Sequence, residues 1–295
     1  MPPTHEPGAH SIVEQLRRSL ASLTPTEKKV ARTLVAGYPA AGLGGVAELA
    51  QESKTSTASV IRLVQKLGYE GYASFHSALL LELSERQTGP VDRLSASRGV
   101  PGEGVLATLS YALGHAVTSI ASTIPPSEFD EAVRLLSDPK RRILMVGGRI
   151  SQAWAEIFVT LLSRMRSNVG VMSRDPGRRV ASVLDLSPAS LLVVFDFRRY
   201  DNDTVQIARE AAERRATVIL VTDILLSPAA SYANVVLPVP VEVPSPFDTS
   251  VTGLALVECL TWSLTLSIGG PGVTRMQKWD KLTADGLRTH RFEGV

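Results

Sequence analysis

Ser56, Thr57, Ser59, Arg62 and Lys66 form a short run of hydroxyl and cationic side chains at roughly helical spacing. Hydroxyls and cations at the start of a helix suit contact with phosphates and base edges in a DNA major groove. A second set, Arg149, Ser151, Asp196, Arg198, Arg199, Thr222 and Glu242, sits at the ends of apolar runs further along. Guanidinium groups in such loops bind a small anion in bidentate fashion. The competing expectation for that set is internal pairing, with Arg198 or Arg199 bridged to Asp196 or Asp201. Glu242 and His115 are the acid/base candidates for isomerase chemistry, but no second histidine accompanies His115 at a catalytic spacing. No catalytic residue is therefore assigned. The single cysteine, Cys259, excludes an internal disulfide and a cysteine-based zinc cluster. It is expected as a small buried residue on a helix, and neither metal nor cofactor is expected.

The elements that must position the first set are legible. Apolar residues at Leu49, Ala50, Val60, Ile61, Val64 and Leu67 fit two short helices facing one core. Ser53-Lys54-Thr55-Ser56 interrupts them and supplies an N-cap, which is helix-turn-helix spacing. Upstream, Ile12, Val13, Leu16, Leu20 and Leu23 have helical period, and Thr24-Pro25-Thr26-Glu27 begins a second helix through Val30, Ala31, Leu34 and Val35. A long helix is expected near Tyr72 to Arg86.

The second set is carried by a different rhythm. Ile143–Val146, Val169–Met172, Leu191–Phe195, Val218–Val221 and Val235–Val239 are short β-branched runs alternating with helical stretches near 151–166, 203–215 and 251–267. That pattern is a doubly wound α/β sheet, whose ligands bind beyond the carboxyl ends of the strands. The loops after Val146, Phe195 and Val221 are the ones to inspect. Trp154 and Phe158 at helical spacing are expected in packing. Met276 to Phe292, with Trp279, Leu282 and Leu287, reads as a last helix.

Composition fits this division. The 295 residues suit two compact domains, with 44% hydrophobic residues and a net charge of +2 spread evenly along the chain. So weak a charge argues against tight non-specific DNA binding by one copy. The start, MPPTHEPGAH, lacks the basic and apolar regions of a signal peptide. Val251 to Gly270 is the longest apolar stretch, but Glu258 near its middle favours a packed helix over a membrane span. The expected organisation is a disordered lead over 1–10, a helix-turn-helix domain over 11–86, a Gly/Pro/Ser-rich linker over 87–104 and an α/β domain over 105–295. No membrane contact is expected, and the location is read as cytoplasmic.

The motifs LTPTEKKVA, ELA, S-x-A-S-V-x-R and KLGYEGYASF, in that order, resemble those of the RpiR family of bacterial transcriptional regulators. That family joins an N-terminal helix-turn-helix domain to a C-terminal sugar isomerase (SIS) domain that senses a phosphosugar. Here Lys54 stands where a turn glycine is common. VGGRIS resembles the family's G-x-G-x-S loop, with Ser151 at the serine and Arg149 at the second glycine. VILVTD followed by SPAASYANVVLPVPVE resembles the strand, turn and strand that close the site. The family's S-x-S-G-x-T phosphate loop aligns with Asp196, Phe197, Arg198, Arg199, Tyr200 and Asp201, so hydroxyls and an open glycine are replaced by carboxylates and guanidiniums.

The resemblance implies an all-α helix-turn-helix N-terminal domain plus an α/β doubly wound, SIS-like and flavodoxin-like C-terminal domain. It implies a regulator, a repressor by default, that binds a double-stranded DNA operator and a small anionic effector, a phosphosugar or a carboxylate. It also implies a homodimer or tetramer. The alternatives are a phosphosugar isomerase-like enzyme and a regulator whose second domain binds nothing.

Overall fold

The computed structural model describes residues 12–19, 22–36, 38, 40–87, 89–96 and 104–284. The expected lead over 1–10, Leu20, and the end of the chain with Leu287 and Phe292 lie outside them. The first helices are α1 (Ile12–Ser19), whose Ile12 N donates to Glu82 Oε2 at 3.2 Å, and α2 (Pro25–Ala36), which is capped locally. Thr24 N donates to Glu27 Oε2 at 2.8 Å and Glu27 N donates to Thr24 Oγ1 at 3.4 Å, a reciprocal cap with Pro25 at the first helical position. After a 3-10 turn at Ala40–Gly42 come α3 (Val46–Glu52), α4 (Thr57–Lys66) and α5 (Tyr72–Gln87). Ser56 caps α4, its Oγ accepting from Ser59 N at 3.3 Å.

One core joins Leu16, Val30, Leu34, Leu49, Val60, Leu63, Val64, Phe75 and Leu79. Ile61, expected inside, is 37% exposed. The 3.6-residue period from Val60 carries the inner face of α4 to Leu63 and Val64, which leaves Ile61 outside. The segment 87–104, expected as a linker without periodicity, contains α6 (Pro90–Ala96), started by Pro90 and by Asp92 Oδ2 accepting from Gly89 N at 3.1 Å.

The second domain opens with α7 (Val105–Thr123) and α8 (Pro126–Ser137) and then builds a five-stranded sheet. Its strands are β1 (Arg142–Gly147), β2 (Val169–Val171), β3 (Ser190–Phe195), β4 (Thr217–Asp223) and β5 (Val235–Val239). Every pairing is parallel and the order is β2-β1-β3-β4-β5. Between them lie α9 (Gln152–Ser163), α10 (Pro176–Leu184) and α11 (Asn202–Glu213), and after them α12 (Val251–Ile268) and α13 (Gly270–Ala284).

Alternate strand residues serve opposite faces. Met145, Val193, Ile219 and Leu237 pack with α8, α9 and α12, whereas Val146, Val194, Leu220 and Val236 pack with α11 and a 3-10 turn at Pro228–Tyr232. Trp154 and Phe158 are both buried in the first of these cores. The sequence gives little sign of α10, which buries none of its residues below the surface.

Cys259 is exposed, contrary to its expected burial. The inward face of α12 is taken by Gly253, Leu256, Val257, Leu260 and Leu264, and Cys259 lies off it. Both α7 and α12 are long and apolar enough to cross a membrane by length and composition. In this fold α12 lies against α7, α8 and α9, and α7 buries Ala116 and Ile120.

The first domain rests on the second at one patch. Val13 of α1 joins the core beneath α11, with Val35 and Tyr38 packed against it, and Ser231 Oγ donates to Val35 O at 3.3 Å.

Lys54, between α3 and α4, has φ +52°. A Cβ in the left-handed region costs about 1–2 kcal/mol, which glycine avoids at some loss of unfolded-chain entropy. Lys54→Gly is expected to stabilise the DNA-free protein by about 0.5–1 kcal/mol. Urea denaturation checks this, and an unmoved or lowered midpoint would refute it.

Candidate functional site

On α4, the residues singled out from sequence divide into two groups. Ser56, Thr57 and Arg62 are exposed. Ser59 is only 3% exposed, so its expected outward position is corrected. Its hydroxyl lies 3.0 Å from Ser56 Oγ and accepts from Arg62 Nη2 at 3.0 Å. The buried Ser59 hydroxyl therefore orients the Arg62 guanidinium.

Lys66 is exposed, as expected, and is also held from within the domain. Its Nζ donates at 2.7 Å to Oε2 of the buried Glu27, the same oxygen that caps α2. The hydrogen bond from Lys66 outweighs burial and holds the Glu27 carboxyl below its usual range. Lys66 thus fastens α4 to α2 while its stem remains partly exposed. The exposed face of α4 also includes Ala58, Ile61 and Gln65, which sequence reasoning did not select.

The second site lies where strand order reverses, between the carboxyl ends of β1 and β3. Gly147 ends β1 where an added Cβ would stand 2.5 Å from Gln152 N, so only glycine permits this turn into α9. Ser151 Oγ donates to Phe195 O at 2.7 Å and accepts from Gly148 N at 3.0 Å. That hydroxyl pins the β1 loop to the end of β3. The loop after β3 is held by Asp196, 2% exposed, which accepts from Asp201 N at 3.1 Å and from Ser227 Oγ at 2.5 Å. Burial, against the pull of those two hydrogen bonds, pushes the Asp196 carboxyl up to about 7.

These loops bound a cavity of about 570 Å³, the size of an ordinary metabolite site. Arg149, Ser151, Asp196, Arg198 and Arg199 line it together. Two expected members are absent from that lining. Thr222 is fully buried, its Oγ1 accepting from Ser227 N at 3.0 Å. Glu242 lies outside the lining, its Oε1 accepting from Arg198 Nη1 at 3.0 Å. The expected pairing of Arg198 with Asp196 or Asp201 is replaced by this bridge and by a 2.5 Å bond from Arg198 Nη2 to Asp248 Oδ1. Arg198 has a side chain only 5% exposed. Burial alone would depress its pKa, but Asp248 and Glu242 more than offset that and keep it charged. His115 stands exposed on α7.

Sequence reasoning missed Arg93, Asp248 and Ser227, and gave Asp201 only as a partner for an arginine. Arg93, on α6, donates to Asp248 Oδ1 at 2.6 Å, so one carboxylate oxygen joins the segment after the first domain to the loop after β3. Asp201 caps α11, its Oδ1 accepting from Asp203 N at 2.9 Å. Ser227 begins the 3-10 turn that carries Ser231 and Ala230 to the first domain. Asp201 and Ser227 carry the local signature of a cap, each accepting from the N–H two residues on, whereas Arg93 and Asp248, 155 residues apart, have none. Two routes therefore run from the cavity toward the helical domain: Arg93 on α6, and Asp196 through Ser227.

A model of the rpiR-family helix-turn-helix domain matches residues 10–86, and a model of the SIS domain matches residues 135–263. The chain is a transcriptional regulator that joins a helix-turn-helix domain of the rpiR family to a C-terminal SIS domain. It is 23% identical to the regulator HexR of Escherichia coli over 96% of each chain. It is 22% identical to an uncharacterised HTH-type regulator of Haemophilus influenzae, over 77% of this chain and 79% of the relative. In fold it is similar to the Vibrio vulnificus NanR protein complexed with ManNAc-6P, with a TM-score of 0.54 and 19% identity over 94% of this chain and 99% of that one. The sugar isomerase domain of an RpiR transcription factor from Sphaerobacter thermophilus gives 0.57 at 20% identity, over 61% of this chain and 99% of that one.

Asp196 holds a proton more tightly when folded than its ordinary value of 3.8 allows, so its contribution to stability is full below about pH 4 and is lost as pH rises through about 7. Asp196→Asn keeps an acceptor for Asp201 N and removes that titration. Its Tm is expected to fall less than the parent's between about pH 5 and about pH 8. Parallel melts with equal falls would show that Asp196 is not the group responsible.

Proposed function

We propose that this regulator binds operator DNA through α4 and changes its binding when a small anionic metabolite occupies the cavity at the β1/β3 crevice. Repression is the default sign, and the cytoplasm is where such a protein meets both partners. The observation that supports the DNA reading best is the Ser56–Ser59–Arg62 chain. It holds a guanidinium at the exposed start of a recognition helix. The ligand reading rests on the guanidinium-lined cavity and on its two routes to the helical domain. A ligand acts through them only if it binds one arrangement of α6 and the 3-10 turn better than another. The NanR protein's complex with ManNAc-6P supports a small metabolite as the ligand of this fold.

Catalysis is not part of this reading. Glu242 is bound to Arg198 and lies outside the cavity lining, and His115 stands apart on α7. Self-association supplies the second recognition helix that a palindromic operator needs. Leu106, Tyr111, Trp262 and Leu266, exposed by 83%, 81%, 64% and 65%, give α7 and α12 the apolar surface for it.

A gel shift on DNA upstream of the protein's own gene is expected to give a discrete complex. Arg62→Ala is expected to weaken it about tenfold or more, about 1–3 kcal/mol, with the fold intact by circular dichroism. Equal affinity in a folded variant would remove Arg62 from the interface. Sedimentation equilibrium is expected to give a dimer or tetramer that Trp262→Glu dissociates. A parent that stays monomeric at micromolar concentration would refute the association.

A further inference from the structure

The first turn of α11 is where an anion would ordinarily sit, since free backbone N–H groups and the helix dipole favour negative charge there. Here the chain's own carboxylates occupy it. Asp196 takes the N–H of Asp201, Asp201 takes the N–H of Asp203, and Asp203 adds a third carboxylate on the same turn. A phosphate dianion at this point would displace both acceptors and face the Asp201 carboxylate, with Asp203 on the same turn. Arg199 has φ +60°, the backbone of a glycine position, but places a long cation where an open backbone would have approached a phosphate.

The cavity also carries positive charge. Arg198 and Arg93 are neutralised by Asp248 and, for Arg198, also by Glu242. Arg149 and Arg199 line the cavity, are exposed, and have no ion pair among the described residues. Against these two guanidiniums the lining sets Asp201, a balance suited to one negative charge. Exposed Ile150 and Phe247 give the mouth an apolar rim for a carbon skeleton.

We infer that the cavity takes a small hydroxy acid without a phosphate group. Its carboxylate lies between Arg149 and Arg199, and a hydroxyl donates to Asp201. This rests on the effector-sensing reading above and narrows its ligand class.

The test is calorimetric titration of the full-length protein with malate, tartrate and gluconate, set against glucose 6-phosphate, ribose 5-phosphate and inorganic phosphate. At least one hydroxy acid is expected to bind about tenfold or more tightly than every phosphate compound. The Arg149→Ala/Arg199→Ala double variant is expected to lose that binding. Asp201→Thr keeps a good N-cap, so it should fold, and it is expected to narrow or reverse the preference toward the phosphate esters. Phosphate esters binding as tightly as the acids to the parent would overturn the inference and leave effector sensing standing. No binding by either class, with a discrete DNA shift retained, would overturn both.

Discussion

In an open parallel sheet, two neighbouring strands whose connections leave to opposite faces keep a crevice beyond their carboxyl ends, because no crossover helix covers the gap. In the order β2-β1-β3-β4-β5 that gap falls between β1 and β3. Most of the functional geometry of the second domain follows from it. The β1 loop must turn sharply at Gly147, the β3 loop must turn the other way at Arg198 and Arg199, and something must tie the two together. Ser151 does so by donating to Phe195 O. A hydroxyl that would otherwise be free for a ligand is spent on holding the two walls at a fixed separation.

Asp196 plays the corresponding part for the rest of the crevice. A carboxyl group that is 2% exposed, with two donors and other carboxylates nearby, is costly to ionise. Its two hydrogen bonds fasten α11 on one side and the Pro228–Tyr232 turn on the other. That turn also packs against Val35 and Tyr38 of the helical domain. The floor of the ligand cavity is thus separated from the first domain by one side-chain hydrogen bond and one short turn. Arg93 provides a second tie through Asp248, from the opposite edge of the cavity.

The helical domain shows the same economy with charged groups. Glu27 closes the cap of α2 and receives Lys66 from α4, so the recognition helix is fixed to its neighbour by an ion pair whose carboxylate is buried. Ser59 turns inward and directs Arg62 outward. A nearly neutral surface can present an oriented cation to DNA when the groups behind it are fixed in this way, since less side-chain entropy is lost on binding.

Apart from α6 and α10, the order and class of the elements were legible from sequence because they follow local rules. Apolar residues recur at the helical period in α1, α2 and α4, β-branched runs mark all five strands, and Ser56 and Glu27 signal their caps within one turn of the chain. The helix-turn-helix and the doubly wound sheet needed nothing more. Tertiary structure decided the partners of the charged groups. Arg198 is 44 residues from Glu242 and 50 from Asp248, and Arg93 reaches Asp248 only because α6 folds back onto the cavity. Thr222, Ser59 and Cys259 took environments other than those expected because burial depends on which neighbour covers a face. An ion pair or a covered face is set by distances between elements far apart in the chain, and residue type and spacing alone do not encode those distances.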